Sequence, residues 1–217
     1  MKTLSHIISW VFLPLFMPMY GLLLAMYVPS NQDYLFNEDS MFFLTDPAKT
    51  AILYMFLIFS VLAPALSFVI LRKRNIISTI DMESQAERNI PMFITLTYCL
   101  VLYFLFILKA QDNILPKYVY ALPLSGVFVT ASFTYINRWI KISLHAGGAG
   151  ILTGFIFAYV AEQIEYQFWI LIFVILASGI TISARLYLKK HTQTEVYTGW
   201  LLAVLITFLI NYLYPIG

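Results

Sequence analysis

Charged residues are scarce in this sequence, and cysteine, glycine and proline are also few. Asp, Glu, Lys and Arg make up 11% of the 217 residues, whereas soluble globular proteins carry about 25%. Hydrophobic residues make up 61%, and the mean hydropathy is +0.82. The chain therefore lacks the polar surface that a water-soluble fold needs. A formal net charge of +2 is too small to indicate nucleic-acid binding.

The single cysteine, Cys99, lies within an apolar run. One cysteine excludes an intrachain disulfide framework and a cysteine-ligated zinc site. Nine glycines and nine prolines are too few for a disordered or collagen-like chain. Long apolar runs recur along the whole sequence, which indicates a polytopic membrane protein with lipids among its partners.

Seven uncharged runs are long enough to cross a bilayer as helices, because the hydrocarbon core requires about 20 apolar residues in helical form. They cover residues 7–28, 50–71, 90–108, 118–136, 144–161, 167–184 and 196–215. The fourth run contains four Ser and Thr residues and the fifth contains four glycines, so we expect both to face other helices. No repeat or linker divides the chain. We predict an all-α transmembrane bundle of six to seven spans, with residues 1–217 in one domain.

The connections between the runs alternate in charge. Ten of the 13 Lys and Arg residues fall at the N-terminus and in the second, fourth and sixth connections, and three fall in the others. The positive-inside rule places this basic face in the cytoplasm of a multi-pass plasma (inner) membrane protein. Arg72, Lys73 and Arg74 are interpreted as a topology anchor that contacts lipid headgroups.

Three polar clusters lie at span ends, where ionisable residues of membrane proteins are the first candidates for a functional site. They occupy residues 81–91, 141–148 and 183–199. Two spans separate each cluster from the next. All three therefore emerge on the basic face, and they can form one site.

These clusters resemble the motifs of the type 2 phosphatidic acid phosphatase (PAP2) superfamily, membrane lipid phosphatases related to vanadium haloperoxidases. Arg185, His191 and Glu195 reproduce the spacing of its third motif, SR-x5-H-x3-D. Residues 142–145, ISLH, align with its second motif, PSGH. Its first motif, K-x6-RP, places Arg88 at the arginine and Asp81 at the lysine position. The resemblance covers residues 81–200.

The resemblance implies a phosphatase that uses neither a metal nor another cofactor and acts on a lipid phosphate or an isoprenoid diphosphate. Guanidinium groups match the oxygens of a phosphoryl group in transfer, and the resemblance assigns phosphate binding to Arg88 and Arg185. Ser143, together with backbone N–H groups at the start of the glycine-rich fifth span, is expected to add hydrogen bonds. Lys141 is expected to add charge.

The resemblance also implies the catalytic groups. His191 is the expected nucleophile, forming a phosphohistidine intermediate, and Glu195 orients it. Residues four apart share one face of a helix, so we expect these two side chains to touch on a helix that continues into the last span. His145 is the expected general acid and base.

Two other functions are open at this stage. Asp81 at the lysine position and the degenerate second motif favour a catalytically weak or inactive relative that binds or transports lipid phosphates. A small transporter with an anion path lined by Arg and His is an unrelated hypothesis. The polar residues of such a transporter would lie near mid-membrane, whereas the polar clusters of this sequence lie at span ends. Many PAP2 members work on the outer side of the membrane, in conflict with the charge rule.

Overall fold

The structure is a computed structural model that describes residues 2–32, 40–79, 82, 84–109 and 115–215. Within these ranges the chain forms nine α-helices and one pair of short strands. Seven helical segments there are long and apolar enough to cross a membrane. The prediction of an all-α, multi-pass transmembrane bundle is therefore confirmed. Asp81 lies outside the described residues.

The first two spans are interrupted helices. The first consists of α1 (Lys2–Val11), a 3-10 turn (Pro14–Phe16) and α2 (Met17–Tyr27). The second consists of α3 (Asp46–Phe56), a π-helical segment (Leu57–Leu62) and α4 (Ala63–Lys73). Proline explains both breaks, because it has no backbone N–H to donate and its ring clashes with the preceding turn. Pro14 starts the 3-10 turn of the first break, Pro18 lies in the first turn of α2, and Pro64 follows the π-helical segment.

The remaining five spans are continuous helices. A 3-10 turn (Ala86–Arg88) leads into the third. The five are α5 (Asn89–Lys109), α6 (Lys117–Ile136), α7 (Leu144–Ala161), α8 (Trp169–Tyr187) and α9 (Gln193–Leu213). We call the side of the bundle that carries residues 72–74, 84–88, 137–145 and 185–195 the basic face, and the other side the opposite face.

Helix α7 is the centre of the bundle, with 78% of its span buried. Its glycines allow α9 to approach closely. A Cβ at Gly150 would lie 2.5 Å from the Trp200 carbonyl oxygen, and one at Gly154 would lie 2.5 Å from that of Val204. The prediction that the glycine-rich span faces other helices is confirmed.

The opposite face is closed by contacts that the sequence did not reveal. Strand β1 (Ser30–Gln32) pairs antiparallel with β2 (Gln163–Tyr166). Beside them Lys117 Nζ donates to Glu162 Oε1 at 2.6 Å, and both side chains are buried. Because breaking a buried ion pair leaves an uncompensated charge, this contact fixes the start of α6 against the end of α7.

Candidate functional site

Four of the predicted site residues line one cavity at the basic face. Arg88 comes from the turn before α5, His145 from the first turn of α7, Arg185 from the last turn of α8 and His191 from the loop before α9. The cavity has a volume of about 590 Å³. The chain therefore brings together residues from all three predicted clusters.

Arg88 is held rigidly in a buried position with 2% of its surface exposed. Its Nε donates to the Met82 carbonyl oxygen at 3.0 Å, and its Nη1 donates to the Ile142 carbonyl oxygen. Asn137 Nδ2 donates to the Gln85 carbonyl oxygen at 2.9 Å and ties this turn to the end of α6. A guanidinium stays protonated even when buried, so these contacts fix a positive charge at the cavity wall.

The short loop before α7 connects the second and third clusters. The Ser143 N–H donates to the Glu195 carbonyl oxygen at 3.2 Å, and Lys141 Nζ donates to the Lys190 carbonyl oxygen at 3.3 Å. The Ser143 hydroxyl caps α7 by accepting from the Ala146 N–H at 3.4 Å. Neither Ser143 nor Lys141 lines the cavity. The structure therefore keeps these two predicted phosphate ligands out of the cavity lining, although the charge of Lys141 still acts on His191.

His191 and Glu195 are in contact, but not for the reason that the sequence suggested. His191 Nδ1 lies 2.7 Å from Glu195 Oε2, and His191 precedes α9 instead of lying on it. Thr192 is the N-cap: its hydroxyl accepts from the Glu195 N–H and its own N–H donates to Glu195 Oε2, both at 3.3 Å. This capping box holds the carboxylate beside the ring.

The surroundings of His191 favour the neutral imidazole. Burial is the largest cause, and the positive charges of Arg88, Arg185 and Lys141 add to it, so that the pKa of His191 is lowered from 6.5 to about 3. A neutral ring carries one proton, and the carboxylate next to Nδ1 assigns the proton to that nitrogen. Nε2 is then left with its lone pair.

His145 and Arg185 meet next to a residue of the first helix that sequence reasoning missed. Both are buried. Arg185 Nη1 donates to Ser9 Oγ at 3.5 Å, and the His145 ring interacts with the Ser9 backbone. The signal was available in the sequence, because Ser5 and Ser9 are spaced four apart and give α1 one small polar stripe.

The electrostatics of the cavity favour an anion. His145 interacts electrostatically with Arg185, His191 and Arg88, so the four groups share one field. Arg72, interpreted from the sequence as a topology anchor, also lines the cavity. None of the described lining residues is acidic. Positive charge clustered in this way attracts anions.

The arrangement of these groups contains what phosphoryl transfer requires: fixed guanidinium groups, an imidazole with a carboxylate partner, and a second imidazole. No group of three His, Cys, Asp or Glu side chains suited to a metal ion occurs among the described residues. Comparisons of this chain with protein-family models, curated proteins and solved structures find no match.

Proposed function

We propose that this chain is a membrane phosphatase of the PAP2 type that removes the terminal phosphate from a lipid phosphate or an isoprenoid diphosphate without a metal ion. The observation that carries the proposal is the meeting of Arg88, His145, Arg185 and His191 at one buried cavity. These residues come from three distant parts of the sequence. Their convergence supports a shared task better than four separate structural roles.

Arg88 and Arg185 bind the phosphate in this proposal. A phosphoryl group in transfer spreads negative charge over its equatorial oxygens, and a guanidinium fork can contact two of them at once. Both arginines are buried, with 2% and 3% of their surface exposed. Little water screens their charges, so their attraction for a dianion exceeds that of exposed arginines.

His191 is the nucleophile. The Nε2 lone pair forms a bond to phosphorus while the bond from phosphorus to the lipid oxygen, or to the bridging oxygen of a diphosphate, breaks. Nδ1 keeps its proton and donates a hydrogen bond to Glu195, so the positive charge that develops on the ring faces a carboxylate 2.7 Å away. Glu195 is a positioning residue, because it acts through His191.

His145 moves the protons. In its protonated form it gives a proton to the departing oxygen in the first step, as a general acid does. In the second step it takes a proton from water as the water oxygen attacks phosphorus and the phosphorus–nitrogen bond breaks. Inorganic phosphate leaves, and both imidazoles return to their starting states.

A lipid-phosphate binding or transport protein without turnover is the second candidate. Ser143 and Lys141 direct their polar groups to backbone atoms outside the cavity, so the site has fewer ligands for phosphate than the motifs suggest. By the charge rule the basic face is cytoplasmic in the plasma membrane, and we include that orientation in the proposal.

The test is phosphate release by the purified protein in detergent from phosphatidate and a polyprenyl diphosphate. We expect turnover by wild type and a loss of at least about a thousandfold in His191→Gln, because loss of a covalent nucleophile typically costs this much or more. The matched control is Arg138→Gln, on the same face but exposed and outside the cavity. Equal rates in wild type and His191→Gln contradict the proposal. Binding without release favours the second candidate.

A further inference from the structure

The cavity that holds the four site residues continues from the basic face into the interior of the bundle. Pro91 and Leu102 of α5 both line it, as do Phe133 and Leu122 of α6. The members of each pair are eleven residues apart (102 − 91 and 133 − 122). Eleven helical residues rise about 17 Å. The cavity therefore extends through more than half of a hydrocarbon core about 30 Å thick.

The walls of this inner part, which we call the chamber, offer a ligand almost no hydrogen bonds. Three hydroxyl groups on the walls donate to the carbonyl oxygen four residues earlier: those of Ser60, Thr95 and Thr130, at 2.8, 2.9 and 2.6 Å. Their neighbours on the walls, such as Met92 and Val129, are apolar. Water would find few polar partners in such a space, whereas a hydrocarbon chain needs none.

The chamber is closed at its deep end and reaches the bundle surface near the basic face. Phe56, Leu102 and Leu122 form the closed end, each no more than 2% exposed. Near the basic face Trp10 of α1 and Val69 of α4 line the cavity, and 63% and 40% of their surfaces are exposed. A lipid can therefore reach the cavity from the bilayer without passing through water.

The volume allows one chain and not two. A water molecule occupies about 30 Å³ in the liquid, and a methylene group is of similar size. The whole cavity of 590 Å³ therefore has room for roughly twenty such groups, part of them taken by the headgroup. Two long acyl chains exceed that number, whereas a single tail of fewer than about twenty carbons fits.

We propose that the chamber binds the hydrocarbon tail of a single-chain phosphorylated lipid whose tail has fewer than about twenty carbons, such as a short polyprenyl phosphate or diphosphate, while its phosphate lies between Arg88 and Arg185. The inference rests on the proposed function for the reaction. It adds that the chamber selects the substrate by tail number and length. Charge at one end and an apolar wall along the rest match an amphiphile with one anionic head and one tail.

The first test fills the chamber. Thr95→Phe places a ring in it, and Thr97→Phe is the matched control, because Thr97 lies on the same helix, makes the same kind of backbone hydrogen bond and is exposed outside the cavity. We expect Thr95→Phe to lower kcat/KM for a polyprenyl diphosphate by about tenfold or more, since hydrophobic pockets discriminate by this amount. The ratio of kcat/KM for the polyprenyl diphosphate to kcat/KM for a soluble ester, para-nitrophenyl phosphate, should fall in Thr95→Phe and stay at the wild-type value in Thr97→Phe. An unchanged kcat/KM for the polyprenyl substrate in Thr95→Phe overturns the inference. So does a wild-type kcat/KM for dioleoyl phosphatidate that equals the wild-type value for the single-chain lipid.

The second test uses the wild-type chain and needs no turnover. Cys99 is the only cysteine and lines the chamber. Its labelling by N-ethylmaleimide at about pH 8.5, which offsets the low reactivity of a buried thiol, reports occupancy. We expect a polyprenyl diphosphate to slow labelling about tenfold under saturation, and inorganic phosphate alone to leave it unchanged. No protection by the single-chain lipid, or equal protection by dioleoyl phosphatidate, overturns the inference. Protection of Cys99 by the single-chain lipid, without any release of phosphate, supports tail binding in the chamber and refutes the proposed phosphatase activity.

Discussion

Replacing Glu195 with glutamine tests the pairing of carboxylate and imidazole on which the proposed chemistry depends. The amide oxygen can still accept the Nδ1 proton of His191, so the ring keeps its orientation and only the charge is lost. A hydrogen bond to a charged group contributes about 1.5–3 kcal/mol, and each 1.36 kcal/mol is a factor of ten in rate. The side chains are 2% and 17% exposed, so solvent screens the pair little. We therefore expect kcat to fall about 10- to 150-fold.

The assay is steady-state phosphate release, with kcat and KM determined separately. The carboxylate stabilises charge that develops only as the phosphorus–nitrogen bond forms, so kcat should fall while KM changes little. Glu165→Gln is the control, because it makes the same substitution at an exposed position of β2 on the opposite face. A Glu195→Gln enzyme with the kcat of Glu165→Gln would refute the reasoning.

Three further predictions concern stability and orientation. The pKa of His191 is about 3 in the folded protein and near 6.5 in the unfolded chain. The unfolded chain therefore binds more protons below about pH 6.5. Acidification from pH 7 to 4 should for this reason lower Tm more in wild type than in His191→Gln. A loss of Tm on acidification that is equal in the two proteins, or larger in His191→Gln, would contradict this prediction. Gly150→Ala places a Cβ 2.5 Å from a backbone oxygen of α9 and should destabilise the bundle by about 1–3 kcal/mol, whereas Gly179→Ala meets nothing within 4 Å and should leave Tm unchanged; equal Tm values for the two variants would argue against the close α7–α9 packing. The orientation is tested with single cysteines in a chain without its native cysteine. In intact cells an impermeant maleimide should label Thr45→Cys on the opposite face, and it should label Ser84→Cys on the basic face only after lysis. The opposite labelling pattern would show that the orientation is inverted.

Hydropathy predicted the spans because each helix must satisfy its backbone inside the membrane regardless of its neighbours. The helix ends were less accurate. The last apolar run starts at residue 196, yet α9 begins at Gln193, because its first turn is polar and is held by the capping box of Thr192. The pairing of β1 with β2 escaped prediction, since it joins segments more than 130 residues apart.

The candidate site shows the same division between local and distant information. Motif spacing brought out His191 and Glu195, because their contact is made within five consecutive residues. Ser9 was missed, since it meets Arg185 across 176 positions of sequence. Ser143 aligns with a motif, but its hydroxyl caps α7, which is the usual role of a serine just before a helix.

Trapping the phosphorylated enzyme tests the central claim most directly. Wild type is mixed with a polyprenyl diphosphate labelled at its terminal phosphorus and quenched within one turnover in alkali, in which a phosphoramidate bond survives. We predict label on the peptide that contains His191, and no label in His191→Gln. Label on another residue, or phosphate release by His191→Gln at the wild-type rate, would contradict the account.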